Sequence, residues 1–269
     1  MSPHSLAVDH HGNICVGNTG NKRIQKFSPN GTFLMSWGTA GSNDGQFLGL
    51  HDVAVVPNGD FVYAVELKNH RVQKFYSNGT FITKWGYDGT GGRDSLRAPH
   101  QLAVNSMGMV YLTDRDGNQI LKFRDNGSFI GNIGSKGTGP AEFNGPHRIG
   151  IDSNNNVYVT DMKNSRMQVF DSNDAFVRQW GSLGNGTGQF TETAPGIAVD
   201  NSNHVYVVDK LNGRVQMFDS KGNYLAAWGT SGNSFEQLNK PEDLATDNRG
   251  KIYVTVTKNS RIQLLEIVR

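Results

Sequence analysis

A unit of 47 or 48 residues recurs along the whole of this 269-residue chain, and it limits the possible folds more than any other feature. Phe27, Phe75, Phe123, Phe170, Phe218 and Leu265 stand 48, 48, 47, 48 and 47 residues apart, and Trp37, Trp85, Ile133, Trp180 and Trp228 keep the same beat. Each unit opens with a short apolar run, closed by Asp or Asn in five of the six, as in Leu6-Ala7-Val8-Asp9 and Ile197-Ala198-Val199-Asp200, and by Val56 in the second. A Gly/Asn turn, a second run such as Val157-Tyr158-Val159-Thr160-Asp161, a third ending at the periodic Phe, a hairpin turn and a fourth run ending in Trp-Gly complete it. Runs of this length, rich in β-branched and aromatic residues and bounded by turn formers, predict strands, and no stretch sustains a helical period.

Four short strands in tandem units of this size are the signature of propeller blades. A single blade cannot bury both faces, so the units must ring an axis and stack, with the periodic Phe and Trp between blades. The expected fold is therefore all-β, a six-bladed β-propeller over residues 1–269, with blades starting near residues 3, 49, 98, 145, 195 and 240. The sixth unit lacks the fourth strand with its Trp-Gly. Because residue 3 already begins an inner strand, we expect the chain to be a piece of a longer protein.

Composition excludes several classes. About 45% apolar residues is ordinary for a globular chain. Lys+Arg 26 against Asp+Glu 24 leaves a charge of +2, too small to imply a nucleic-acid or membrane partner. No apolar run reaches the roughly 18 residues of a membrane span, and the first residues do not form a signal peptide. The single cysteine, Cys15, precludes an internal disulfide framework and any cysteine-cluster metal site. Phosphate loops, nucleophile elbows and HExxH are missing, and the Gly86–Gly92 stretch reads as an inter-blade loop. Sequons at Asn30, Asn78, Asn126 and Asn185 suit an extracellular or extracytoplasmic location, although three of them fall on Asn-Gly hairpins that turn chemistry already favours.

The recurring polar residues read first as structure. Arg23, Arg71, Arg166, Arg214 and Arg261 share one position, with Gln119 in the third unit, and Asp114, Asp161 and Asp209 precede it by five residues. A pair repeated in most blades is expected to tie strands together by charge-assisted hydrogen bonds. Histidine is distributed differently. His4, His51, His100 and His147 occupy one position just before the innermost strand, where the fifth and sixth units carry Gly196 and Glu242. That position faces one mouth of the central channel. Neutral imidazole and carboxylate are zinc ligands, so zinc is the candidate cofactor and calcium is not assigned. The ordinary alternative is that each ring bonds to a carbonyl or a channel water.

The unit from Ala194 to Gly229 resembles the NHL-repeat consensus almost position for position, and six copies cover the chain. Members of that family are usually six-bladed propellers that bind protein partners or RNA, and one branch is a metal-dependent lyase. The segment order is most similar to that branch, the peptidyl-hydroxyglycine amidating lyases, which hold zinc with Pro-His motifs on alternate blades. The resemblance implies metal roles for His4 and His100, aligns Leu50-His51-Asp52-Val53-Ala54-Val55 with a Pro-Thr-Asp-Val-Ala-Val segment, and places Arg115 where the lyases have a site Arg. Three departures follow from the same alignment. The expected Tyr falls at Leu67, the third metal His at Gly196, and the substrate-binding Arg near Thr257.

The expectation is thus a monomeric propeller serving as a protein- or peptide-binding or scaffold module, using its channel mouth and inter-strand loops. The alternative is a zinc-dependent lyase with a degenerate site, using His4, His100 and either His51 or His147, with Arg115 as an anion-binding group.

Overall fold

The computed structural model describes residues 3–56, 59–87, 92, 94–191, 196–247 and 249–265. Five blades hold four antiparallel strands each, counted from the channel outward, and every blade runs in simple order. Blade 1 is Pro3–Val8, Ile14–Asn18, Arg23–Phe27 and Phe33–Trp37; blade 2 is Leu50–Val55, Phe61–Glu66, Arg71–Tyr76 and Phe81–Trp85. Blade 3 is Pro99–Val104, Val110–Asp114, Gln119–Phe123 and Phe129–Ile133; blade 4 is Pro146–Ile151, Val157–Asp161, Arg166–Phe170 and Phe176–Trp180. Blade 5 is Ile197–Val199, Val205–Asp209, Arg214–Phe218 and Tyr224–Trp228, and blade 6 has three strands, Pro241–Thr246, Ile252–Val256 and Arg261–Leu265. The inner strand of blade 1 lies against those of blades 2 and 6, so the ring closes. Two single 3₁₀ turns, Met162–Asn164 and Thr257–Asn259, are the only helical segments among the described residues. The inner strands of blades 1, 2, 3, 4 and 6 begin at Pro3, Leu50, Pro99, Pro146 and Pro241, whereas the start expected near 195 and the middle of the 86–92 loop lie outside the described residues.

The second strand of each blade is buried for most or all of its length, because both sheet faces pack on neighbours. The periodic aromatics fill these interfaces as expected. Trp37 meets Phe75 of the next blade at 6.2 Å between ring centres, Trp85 meets Phe123 at 6.1 Å and Trp180 meets Phe218 at 5.8 Å. Where a polar residue closes the inner strand it caps the turn that follows: Asp152 Oδ1 accepts from Asn154 N and Asn156 N, and Asp200 Oδ1 accepts from Ser202 N and His204 N. The hairpin sequon asparagines do the same job, with Asn78 Oδ1 accepting from Thr80 N at 3.0 Å and Asn126 Oδ1 from Ser128 N at 3.0 Å.

The Arg and acid positions are ties, as their repetition implied. Arg166 Nε donates to Asp161 Oδ2 at 2.8 Å, and its terminal nitrogens hold the carbonyls of Thr138, Gly139 and Glu142 in the loop entering blade 4. Arg71 with Glu66 and Arg214 with Asp209 repeat this in blades 2 and 5. Each guanidinium so used anchors one loop to the blade it feeds, at charge-assisted strength.

Candidate functional site

Each inner strand of blades 1, 2, 3, 4 and 6 has a register shift at its start, between Pro3 and Ser5, Leu50 and Asp52, Pro99 and Leu102, Pro146 and Ile149, and Pro241 and Asp243. A bulge sets two residues against one on the neighbouring strand and breaks the alternation of side chains between faces. Its cost is a backbone N–H without a ladder partner, and the second strand supplies one. Thr113, Thr160 and Thr255 hydroxyls accept from Gln101 N, Arg148 N and Asp243 N at 2.9, 2.8 and 2.9 Å. The result is that both the histidine position and the residue after it reach the channel, in two tiers.

In the upper tier the histidines touch in series. Ring centres of His4 and His51 are 4.4 Å apart, those of His51 and His100 4.1 Å, and those of His100 and His147 4.1 Å. The His4 Nδ1–H donates to His51 O at 2.9 Å and the His51 Nδ1–H donates to His100 O at 3.0 Å. A carbonyl only accepts, so this fixes the tautomer of both rings and leaves each Nε2 with its lone pair free. His51, His100 and His147 bring one ligand nitrogen each within 4.8 Å of one another. Tetrahedral zinc, with bonds of about 2.0–2.1 Å, separates its ligand nitrogens by about 3.3 Å, so the trio needs only modest ring movement to fit. His100 is 3% exposed with neither ring nitrogen partnered, and His147 Nδ1 is likewise buried and unpartnered. Polar atoms in that state call for an ion or water. Burial, reinforced by the other rings and by Arg148, holds His51 and His147 well below the ordinary imidazole value. Burial, with Arg115 and Arg148 next, takes His100 down to about 2, so all three rings are neutral and competent to ligate.

His4, expected from the lyase resemblance to be a principal ligand, stands outside the trio. Its Nε2 faces Glu242 Oε1 at 3.8 Å, and Glu242 is itself paired with Lys210. Its pKa is also lowered, by burial first and then by Arg148. Gly196, where the resemblance expects the third metal His, has no room for any side chain. A Cβ there would lie 2.8 Å from Asp243 Cα and 3.1 Å from Glu242 O, both backbone atoms. Gly196→Ala is therefore expected to lower stability by about 1–3 kcal/mol, read as a reduced urea midpoint at unchanged m-value.

Around this tier runs a rim formed by the residue that follows each second strand: Thr19, Leu67, Arg115, Met162, Lys210 and Thr257. Arg115 is half-exposed and pairs with Asp116 at 2.8 Å, close enough to the channel to act on His100 but bonded to none of the histidines. Leu67 is half-buried and donates its backbone N–H to Gly49 O, and Thr257 keeps a buried, unpartnered hydroxyl.

The lower tier escaped the sequence reading. Arg148, fully buried, reaches across the axis so that its Nη1 lies 3.6 Å from Asp52 Oδ1 and 3.5 Å from Asp243 Oδ2, joining blades 2, 4 and 6. None of its guanidinium nitrogens has a hydrogen-bond partner, nor have Asp52 Oδ1 and Asp243 Oδ1. The carboxylates also lock blades together, Asp52 Oδ2 accepting from Leu102 N at 3.1 Å and Asp243 Oδ2 from Leu6 N at 3.3 Å. Strict alternation would point Asp52 away from His51, so only the bulge explains why both face inward; the one legible signal was a charged residue at a channel-strand start.

Comparison with known proteins agrees with the geometry. A family described as a 6-bladed beta-propeller matches residues 95–157 and 153–227, and the NHL repeat matches residues 1–27. No curated protein matches. Among solved structures, virginiamycin B lyase from Staphylococcus aureus is similar at 15% identity and a TM-score of 0.65, over 100% of this chain and 85% of that one. A Bacteroides thetaiotaomicron protein of unknown function is similar at 16% identity and 0.71, over 98% and 68%. Kuenenia stuttgartiensis hydrazine synthase is similar at 10% and 0.67, over 99% and 96%. Identities this low speak to the fold alone, which unrelated functions share. With the repeat, the ring of blades and both family matches in agreement, the chain is a six-bladed β-propeller of NHL repeats.

Proposed function

We propose that this propeller is a ligand-binding module for a protein or peptide partner, and that its recognition centre is a zinc-class ion held by His51, His100 and His147 at the channel mouth. The observation that supports this most directly is His100: almost fully buried, neutral, and without a partner on either ring nitrogen, inside a trio whose ligand atoms lie within 4.8 Å. An ion so held supplies an open, Lewis-acidic coordination position. Imidazole nitrogens favour zinc over calcium, which takes oxygen ligands. The cations around the mouth are each paired, Arg115 with Asp116 and Lys210 with Glu242, and Arg148 beneath lies between Asp52 and Asp243, so the positive charge that would draw an anionic group such as a peptide carboxylate is the held ion's own.

A second reading, a metal-dependent lyase, draws support from fold relatives. These include virginiamycin B lyase, one form of which, with a histidine replaced by alanine, is described as catalytically inactive and holds quinupristin, and a streptogramin B lyase. Against it stands Leu67 where the lyase resemblance expects a tyrosine base, so a lyase here needs another proton acceptor.

Calorimetric titration of the metal-stripped chain with zinc separates these ideas from a purely structural role. We expect about one equivalent bound, and an affinity about 100-fold or more weaker in His100→Ala, with His4→Ala little changed. Uptake below about a tenth of an equivalent by the unmodified chain leaves the rings structural and refutes the metal centre. Equal losses in His4→Ala and His100→Ala refute the ligand set.

A further inference from the structure

The inner strands end on the side of the ring away from the histidines, and there blade 2 breaks a pattern that other blades keep. In blades 1, 4, 5 and 6 the residue closing the inner strand is an aspartate, bound from within its own blade. Asp9 pairs with Lys26 at 3.2 Å, and Asp152, Asp200 and Asp247 accept from the hydroxyls of Tyr158, Tyr206 and Tyr253 at 3.0, 3.0 and 3.4 Å. Asp9 and Asp152 also accept from the side chains of Asn13 and Asn156. Blade 2 keeps both the tyrosine and the lysine, as Tyr63 and Lys74. It has Val56 in place of the aspartate, however, and Phe61 in place of the asparagine.

Tyr63 therefore has no carboxylate at the head of its own blade to take its hydroxyl, and Lys74 has none to pair with. Lys74 turns to the next blade, its Nζ lying 3.2 Å from Asp125 Oδ2 and 3.3 Å from Asp125 O. The lysine side chain is 6% exposed and that of Asp125 60%, so a buried ammonium is answered by a carboxylate standing largely in water. Its nearer surroundings are aromatic, with Nζ 4.1 Å from the centre of the Phe61 ring and 5.5 Å from that of Tyr63. Beside these groups an open cavity of about 250 Å³ lies between blades 2 and 3, walled by Val56, Phe61, Tyr63 and Val104 with Lys74 and Asp125. An apolar cavity of about 150 Å³ takes benzene, so this one has room for about ten non-hydrogen atoms. Apolar walls around a few polar groups are the make-up of a small-molecule site. A lysine ammonium and a phenol both donate, and one carboxylate can accept from both. Asp125 at the edge leaves the site one cation against one exposed anion, which suits a monoanion better than a phosphate dianion.

We propose that this cavity binds a small hydrophobic monocarboxylic acid, of the size of an arylacetic acid, with its carboxylate on Lys74 and Tyr63 and its body against Val56, Phe61 and Val104. The acid supplies the carboxylate that an aspartate side chain supplies in blades 1, 4, 5 and 6, and Asp125 is free to turn into solvent. Charge-assisted hydrogen bonding selects the acid, and the apolar walls select its body. The site is separate from the channel histidines, and neither proposal depends on the other.

Fluorine NMR of para-fluorophenylacetate, titrated with the full chain in the presence of EDTA, reads this site without a contribution from a channel metal. Saturable line broadening is expected, with a dissociation constant on the order of 100 μM. The uncharged para-fluorophenylacetamide, of nearly the same shape, should bind about tenfold more weakly or worse. Lys74→Met should weaken the acid by a similar factor. So should Val56→Asp, which gives blade 2 the aspartate of the other blades and lets it close on Lys74 as Asp9 closes on Lys26. Blades 1, 4, 5 and 6 already carry aspartate at that turn, so Val56→Asp should melt with the unmodified chain. A titration flat to about 10 mM overturns the proposal. Equal binding of acid and amide also overturns it, as does unchanged affinity in either variant. Should Lys74→Met fail to fold, the amide and Val56→Asp decide.

Discussion

Replacing Arg148 with methionine is expected to lower the stability of the propeller by about 3–5 kcal/mol, the largest effect expected of any single substitution in the channel. The guanidinium is fully buried between Asp52 and Asp243, and each carboxylate also accepts from a backbone N–H of an adjoining blade, Asp52 through its other oxygen and Asp243 through the oxygen that faces Arg148. Without the cation, two acids remain in a low-dielectric channel with no counter-charge. Burial and their mutual repulsion already push Asp52 up to about 7, and burial, against the pull of Arg148, pushes Asp243 up to about 6. Because the Nη1 contacts of 3.5 and 3.6 Å exceed ordinary hydrogen-bond length, the attraction is Coulombic rather than a bidentate hydrogen-bonded pair. The loss should therefore be repaired by removing charge. The triple variant Asp52→Asn, Arg148→Met, Asp243→Asn retains oxygens to accept from Leu102 N and Leu6 N, and is expected to recover most of the stability. Urea midpoints of the single and triple variants decide the matter. A loss under about 1 kcal/mol in the single variant would show that the triad does not hold blades 2, 4 and 6 together.

The second large effect is on pH. His4, His51, His100 and His147 are all depressed, chiefly by burial, with Arg148 acting on all four, Arg115 on His100, Lys210 on His4, and Glu242 opposing at His4. A depressed base binds its proton in the unfolded chain and not in the fold, so its stability contribution is present above about pH 6.5 and is lost as pH falls below it. The raised Asp52 and Asp243 work in the opposite direction, taking up protons in the fold and stabilising it as pH falls below about 7 and 6. Near pH 5 the depressed imidazoles outnumber the two raised carboxylates, so stability should fall as pH drops, by about 1.4 kcal/mol per pH unit for each proton in excess. His100→Gln removes one of those protons and should make the slope shallower by that amount. Urea melts at pH 7.5, 6.5 and 5.5 read this directly, and a flat profile would mean the rings are charged or solvated in the fold.

The fold was legible because each blade solves the same local problem. Trp37 must pack on Phe75 as Trp85 does on Phe123, and Arg166 must hold its loop as Arg214 does, so the interval between such residues reports the architecture. The histidine position was legible for the same reason, as one column of a repeat. The register shifts that turn Asp52, Arg148 and Asp243 inward were not, because strand alternation is a local rule and a bulge suspends it.

What the sequence determined by itself was the period of 47 or 48, hence six stacked all-β blades with aromatic seams and a histidine column at the channel. Only the tertiary structure decided which members of that column meet. It joined His51, His100 and His147, turned His4 toward Glu242, and closed the Gly196 position with the backbone of Asp243. Those contacts link residues roughly one to five repeats apart, and they depend on how far each blade is set from the axis, a quantity that ring closure imposes on all six blades together.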